Sequence, residues 1–184
     1  MGLFYRIAVL ILLFMRLGAL PTESWGSGPT LGKRAPDFQV ESGDNQTLSL
    51  DMIRGKVIVL FYESRNVIKK NIKLKNELKR LYLAQPANIQ KDIFRLVVID
   101  CSEAYWPTTP IWKSKLKEHS RKEGFTIYGD WNKRMFADYH MKREESNFLI
   151  IDKRGVIRYS AAYKVENSQF EKIKGVLSSL VQEK

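Results

Sequence analysis

The sequence has 184 residues, which is the length of about one globular domain. Hydrophobic residues make up 44% of it and charged residues 28%, a composition that excludes wholesale disorder. The formal net charge is +11, and the single cysteine, Cys101, excludes an intramolecular disulfide, a cysteine-ligated zinc site and a CxxC redox pair within this sequence. With only two histidines, His119 and His140, we expect no metal and no other cofactor.

The N-terminal segment has the organisation of a secretory signal peptide. Arg6 precedes an apolar run over residues 7–15, and small residues follow it. An apolar run of this length is too short for a membrane-spanning helix, which needs about 20 residues. We therefore expect residues 1–26 to direct export to the periplasm or out of the cell, and residues 27–184 to form a single domain. Without cleavage, the segment would hold the protein at the membrane.

Strand-like and helix-like patterns alternate along the rest of the chain. Alternating or continuous apolar runs predict strands over residues 38–40, 47–50, 57–62, 94–99, 125–128, 148–151 and 156–159. Apolar residues at three- and four-residue spacing predict helices over residues 67–83, 110–123, 131–139 and 168–182, with one helical turn at 51–55. Ser168 and Glu171 predict a capping box for the last helix. This order predicts an α/β sandwich with one core and an N-terminal β-hairpin.

Three short strings in this chain resemble motifs of the redoxins and peroxiredoxins, the AhpC/TSA type of the thioredoxin-like superfamily. Residues 31–38 (LGKRAPDF) are similar to the GxxAPDF opening of that family. Residues 48–57 (LSLDMIRGKV) are similar to its LSDLKGKV stretch, and residues 148–155 (FLIIDKRG) are similar to its FLIDxxG hairpin. The resemblance implies a thioredoxin-like three-layer sandwich with a mixed central sheet.

The redox motifs of that family are missing at the places where the resemblance would put them. Active members carry a tryptophan–CxxC turn after the first central strand, where this chain has residues 61–69 (FYESRNVIK), with Asn66 and Lys69 near the two thiol positions. Neither side chain can exchange disulfides. The family's cis-proline would lie within residues 144–147, which read EESN. The resemblance thus implies a degenerate redox site.

A narrower pattern is similar to the YtfJ family of small periplasmic proteins. It consists of residues 55–60 (GKVIVL), Lys69 and Asn71, residues 144–146 (EES) and residues 151–156 (IDKRGV). That family has the thioredoxin-like fold, a signal peptide and no CxxC motif. The similarity implies a fold and a compartment rather than an activity.

The fold implied by the resemblance brings polar and aromatic residues to one rim, where the carboxyl ends of parallel strands meet. Cys101 follows the strand at residues 94–99, so it is either an accessible thiol or a small buried hydrophobe. The other candidates for binding at this rim are Glu63, Arg65, Asn66, Lys69, Trp106, Trp112, Glu144 and Glu145. They either form a binding surface or close over a former site as solvated and packing residues. Because adjacent residues of a strand face opposite ways, Glu144 and Glu145 are poor partners for acid–base chemistry.

Lysines on the helix at residues 67–83 and within residues 113–122 indicate an anionic partner or a solvated basic face. The partner would be an acidic protein or an anionic component of the cell envelope, since no motif that reads nucleic acid is visible. Two functions remain. The first is a non-catalytic binding or accessory protein, favoured because a thioredoxin-type cycle needs a resolving thiol. The alternative is a weak thiol-dependent oxidoreductase or peroxidase that uses Cys101.

Overall fold

The computed structural model describes residues 28–183, so the predicted signal peptide lies outside the described residues. Seven strands and five helices occur within that range. The strands are β1 (Gln39–Ser42), β2 (Thr47–Ser49), β3 (Val57–Glu63), β4 (Ile93–Asp100), β5 (Tyr128–Asp130), β6 (Asn147–Ile151) and β7 (Ile157–Ala162). The helices are α1 (Ile72–Leu83), α2 (Ala87–Asp92), α3 (Thr109–Glu123), α4 (Arg134–Asp138) and α5 (Asn167–Gln182), and a short 3-10 turn covers Asp51–Ile53. None of these helices is long and apolar enough to cross a bilayer.

All seven strands form one mixed sheet in the order β2-β1-β5-β4-β3-β6-β7. Strand β3 pairs in parallel with β4, and β4 pairs in parallel with β5. The other neighbours, including β6 beside β3 and β1 beside β5, are antiparallel. Strands β3, β4 and β6, which correspond to the apolar runs at residues 57–62, 94–99 and 148–151, are therefore neighbours. The predicted mixed sheet with an N-terminal hairpin is confirmed. Strands β3 and β6 are buried along their whole length because both of their faces are covered.

Two hydrophobic clusters cover the two faces of the sheet. On one face, α1 and α5 pack against alternate residues of β3 and β6. On the other face, α4, the residues before β1 and the 3-10 turn pack against the remaining residues of the same strands. The first cluster includes Val59, Phe61, Leu74, Leu78, Phe148 and Ile173, and the second includes Ile58, Leu60, Tyr62, Leu96, Met135 and Tyr139. The result is a three-layer sandwich.

Helix α1 begins five residues later than its apolar spacing predicts. Residues 65–71 form successive turns, in which Val67 N donates to Ser64 O, 3.1 Å away, and Lys70 N donates to Val67 O, 2.8 Å away. Asn71 closes this segment, because its buried side chain donates to Tyr163 O and accepts from Val165 N. An amide committed to the segment after β7 fixes the chain at the point where α1 starts.

Several other element boundaries also differ from the prediction. Helix α5 begins at Asn167 after Glu166 and has no side-chain cap bond, so the predicted capping box does not form. Strand β5 begins three residues later and ends two residues later than expected, and the short helix α2 was not predicted at all. Helix α4 is shorter than expected because the Trp131 indole donates to Glu41 O and Asn132 Oδ1 accepts from Arg134 N. These contacts hold the chain out of helical geometry before α4.

Candidate functional site

A buried ion pair lies at the carboxyl end of β3, where the resemblance implies a redox turn. Glu63, a predicted rim residue, is 0% exposed and lies beneath the surface rather than on it. Its Oε2 atom is 2.5 Å from Lys75 Nζ on α1, and its Oε1 atom accepts from Ser146 Oγ, also 2.5 Å away. Lys75 also donates to Ile68 O, 2.8 Å away. These bonds tie together β3, α1 and the segment before β6.

The protonation of Glu63 depends on two opposing effects. Burial raises the pKa of its carboxyl group, whereas the charge of Lys75 and the hydrogen bonds from Lys75 and Ser146 lower that pKa. Burial is the larger effect, and the pKa is raised overall. The carboxyl group has no exposed surface and is fully engaged by Lys75 and Ser146, so it holds neighbouring segments together.

The turn segment 65–71 presents the predicted polar residues to solvent, although it does not gather them around one point. Arg65, Asn66 and Lys69 are all exposed. The neighbouring Lys70 makes the contact that links this turn to the segment before β6, because it pairs with the Glu145 carboxylate and donates to the Glu144 carbonyl oxygen. Sequence reasoning missed Lys70, since four lysines within residues 69–75 give no sign of which one faces the loop.

Glu144 and Glu145 lie in a turn before β6, not in a strand. Glu144 has φ of 55°, in the left-handed region, so the argument from strand alternation does not apply to this pair. Glu145 bonds to Lys70, while the Glu144 side chain is exposed. The two carboxylates therefore have different environments, and only that of Glu145 is held in place by a cation.

Cys101 follows β4 directly and is almost completely buried, with 1% of its surface exposed. Burial, reinforced by the nearby Asp100 and Asp130 carboxylates, raises the pKa of its thiol to about 12. Its Sγ atom lies 2.9 Å from the point where a Cβ on Gly129 would be, so the thiol fills a space left by the missing side chain. This environment is that of a packing residue.

The loop after β4 carries the most exposed aromatic side chains of the rim. Trp106 is 82% exposed, and Tyr105 beside it is also exposed. Trp112, on α3, is half-buried and lines a groove instead. The two predicted tryptophans thus have different roles: Trp106 is available to a partner, and Trp112 forms part of a wall.

Many lysines of the predicted basic surface are paired within the protein. On α3, Lys113 lies 2.6 Å from Glu41, and Lys117 lies 2.6 Å from Asp44 of the hairpin. Lys79 of α1 pairs with a carboxylate of α3 at 3.6 Å. Among the described residues, the lysines of these two helices and the preceding turn that have no ion-pair partner are Lys69, Lys73 and Lys115. The basic surface is therefore smaller than the count of lysines suggests.

A groove of about 440 Å³ begins beside the rim and runs along the sheet. One face of β4 forms its floor, and α1, α3 and α5 supply its walls. Arg65, Trp112 and part of Cys101 lie along it, and Arg95 lies on its floor. Sequence reasoning missed Arg95, although a lone charge within the apolar run at residues 94–99 is a signal that could have found it. The described residues contain no group of acidic, histidine or cysteine side chains that could hold a metal ion.

Solved structures share this architecture, which is the thioredoxin-like fold. The exposed lipoprotein thioredoxin Etrx1 from Streptococcus pneumoniae is similar, with a TM-score of 0.57 and 18% identity over 79% of this chain and 100% of that chain. A protein described as thiol:disulfide interchange protein DsbE from Chlorobium tepidum has a TM-score of 0.60 and 15% identity, over 83% and 99% of the two chains. Thiol peroxidase from Chromobacterium violaceum has a TM-score of 0.55 and 13% identity, over 84% and 89%. At such identities the similarity establishes the fold alone.

The family follows from the sequence itself. Residues 31–160 match the AhpC/TSA family, and the chain belongs to that family. The search of curated proteins found no match. The resemblance to redoxins of the AhpC/TSA type is thereby confirmed, whereas the narrower similarity to the YtfJ family stays a prediction.

Proposed function

We propose that this protein is a non-catalytic binding protein of the AhpC/TSA family that acts outside the cytoplasm. The observation that carries the proposal is the buried ion pair of Glu63 and Lys75, bonded also to Ser146, at the end of β3. In active relatives, by the resemblance, this region presents a thiol to solvent. A carboxylate and an ammonium group fixed to each other, with no exposed surface on the carboxylate, cannot replace a thiolate nucleophile.

The environment of Cys101 supports a role without redox chemistry. Disulfide exchange and peroxide reduction need a thiolate that the substrate can reach. A buried thiol with a pKa of about 12 has a negligible thiolate fraction at neutral pH. The sequence contains no second cysteine that could resolve a mixed disulfide.

Two observations support export. The first 26 residues have the charge and hydropathy order of a signal peptide. One of the similar structures is of an exposed lipoprotein thioredoxin, and the exposed location of that protein agrees with export of this one. The positive net charge would attract an exported protein to acidic proteins and anionic envelope components.

The surface that we propose for binding is the rim made of Arg65, Asn66 and Lys69, together with Tyr105 and Trp106. All five side chains are exposed, and they combine aromatic area with positive charge. Aromatic residues and arginine are the side chains that most often dominate the energy of protein interfaces. Unpaired cations beside them would speed the approach of an acidic partner.

A redox assay tests the first half of this proposal. The full-length protein should not increase the rate of insulin disulfide reduction above that of dithiothreitol alone, and the Cys101→Ser variant should behave identically. A protein-dependent rate that disappears in the Cys101→Ser variant would instead support the thiol-dependent enzyme.

A capture experiment tests the second half. The wild-type protein and the variants Arg65→Glu, Lys69→Glu and Trp106→Ala are compared in capture of partners from the envelope fraction of the native cell. Lys91→Glu is the matched control, because Lys91 is an exposed lysine of α2. It lies just before the start of β4, whereas the rim lies where β4 ends. We expect the rim variants to lose the partner and the control to keep it, with melting temperatures within a few degrees of wild type. If all three rim variants still capture the partner, the binding surface lies elsewhere on the protein.

A further inference from the structure

Strand β4 has one face that no helix covers completely. Leu96 and Val98 point to the other face of the sheet and are fully buried there. Arg95, Val97 and Ile99 alternate with them and stay half-buried, because they form the floor of the groove. Apolar surface left open along the middle of a sheet is a typical feature of ligand-binding grooves.

A single cation occupies this apolar floor. The Arg95 guanidinium lies 4.3 Å from the centre of the Tyr82 ring on α1 and 4.7 Å from that of the Phe125 ring after α3. Within residues 28–183, its side chain has no carboxylate within ion-pair distance and makes no hydrogen bond. The two rings fix the guanidinium in place while its N–H donors stay unused. A half-buried, fixed cation without an anion is unfavourable until an anion binds to it.

The charge balance of the groove is positive. Six lysine and arginine side chains line it against two carboxylates, Glu63 and Glu123. Both carboxylates are already paired, with Lys75 and Lys79 respectively. The groove therefore has positive charge to spare, and Arg95 is the member of that set that lies on the floor.

We propose that this groove binds a single-chain fatty carboxylate, with the carboxylate on Arg95 and the alkyl chain along the apolar floor. A guanidinium that packs against aromatic rings and makes no hydrogen bond has its N–H donors free, and two of them match the two oxygens of one carboxylate. One fixed guanidinium also balances one negative charge. A volume of about 440 Å³ lies at the small end of the range for ligand sites, which suits one chain rather than the two of a phospholipid.

This inference goes beyond the proposed function, because it concerns the groove floor and not the rim. Loss of fatty-acid binding would leave the rim proposal standing, and an enzymatically active Cys101 would not remove the groove. The two proposals are therefore refuted by different experiments.

The test measures displacement of cis-parinarate from the full-length protein by oleate and by uncharged methyl oleate. In wild type, oleate should bind at least about tenfold more tightly than methyl oleate, because only oleate can pair with Arg95. Arg95→Gln should weaken oleate binding by about tenfold and change methyl oleate binding little. Arg121→Gln is the matched control: Arg121 is an exposed arginine of α3 that does not line the groove, so both affinities should stay at wild-type values.

A second variant keeps the test informative should Arg95→Gln fail to fold. Val97→Phe adds volume to the floor and should reduce the binding of both ligands while Arg95 remains. Equal affinities of wild type for oleate and methyl oleate would overturn the proposal, and so would unchanged oleate binding in Arg95→Gln. Binding to anionic vesicles but not to dispersed oleate would overturn it in favour of a membrane surface. If the protein is a dimer and binds no oleate, the proposal is overturned in favour of a second copy of this chain in the groove.

Discussion

Replacement of Lys75 by methionine will leave the Glu63 carboxyl group buried without its cation. The Glu63 side chain is 0% exposed and that of Lys75 is 20% exposed, so neither is solvated as it would be on the surface. Removing one partner of a buried ion pair costs about 3–5 kcal/mol when the other stays charged. Because Ser146 still donates to the carboxylate, we expect a loss near the lower limit, about 3 kcal/mol, where Glu63 is ionised.

This loss will depend on pH, because Glu63 can bind a proton instead of remaining a buried anion. Burial already raises the pKa of Glu63 in the native protein, and loss of the Lys75 charge will raise it further. In the unfolded chain the pKa of glutamate is about 4.3, which is below the pKa of Glu63 in the folded protein. The folded protein is therefore destabilised as the pH rises through the folded pKa, by up to about 1.4 kcal/mol per pH unit. The penalty of Lys75→Met will therefore be small near pH 4.5 and will grow as the pH rises.

Urea unfolding of the full-length protein, followed by tryptophan fluorescence at about pH 5, 6.5 and 8, measures this penalty. Lys73→Met removes an exposed lysine from the same helix and should change the free energy of unfolding by no more than about 0.5 kcal/mol. The double variant Glu63→Gln/Lys75→Met should be more stable than Lys75→Met, since no charge remains buried. A penalty that is equal at the three pH values, or a double variant that regains nothing, would refute this reasoning.

Three further predictions concern single side chains. Gly43→Ala should lower the free energy of unfolding by about 1–3 kcal/mol, because the new Cβ would lie 2.3 Å from the Lys113 carbonyl oxygen. Gly175→Ala, in α5 with nothing within 4 Å of the new Cβ, should raise the free energy of unfolding by about 0.5–1 kcal/mol. Melting temperatures that change in the same direction for both glycine variants would contradict this pair of predictions. Asn71→Ala should cost about 2 kcal/mol by removing two hydrogen bonds to the segment after β7, whereas a loss below about 0.5 kcal/mol in urea unfolding would show that these bonds matter little. The Cys101 thiol should react with a maleimide at neutral pH only after unfolding, and rapid labelling of the native protein would contradict its burial.

The central strands could be predicted from the sequence because they are determined by local composition. Continuous β-branched and apolar runs favour the middle of a sheet, so the central positions of β3, β4 and β6 could be expected. Boundaries that depend on one distant contact could not be predicted in this way. The start of α1 is an example, because the amide that fixes it bonds to residues more than 90 positions later.

For the candidate site, too, some properties could be predicted from the sequence and others could not. The sequence placed Glu63, Arg65 and Trp106 near one rim, from strand ends and family motifs. It did not indicate that Glu63 is buried, because burial depends on Lys75 and Ser146, which lie 12 and 83 residues further along the chain. A charged residue at a strand end is equally compatible with solvent exposure and with a buried pair, and only the packing of α1 onto β3 distinguishes the two.

By itself, the sequence determined the family, the order of the strands and of every helix except α2, and the absence of a second thiol. These properties are read from neighbouring residues, since hydrophobic periodicity and motif spacing are local. The tertiary structure alone decided which lysines are neutralised, that Cys101 is buried, and that Arg95 packs against two aromatic rings on an open strand face. Each of these depends on how elements far apart in the chain pack together, because the free energy of a charge or a thiol is set by its surroundings in space.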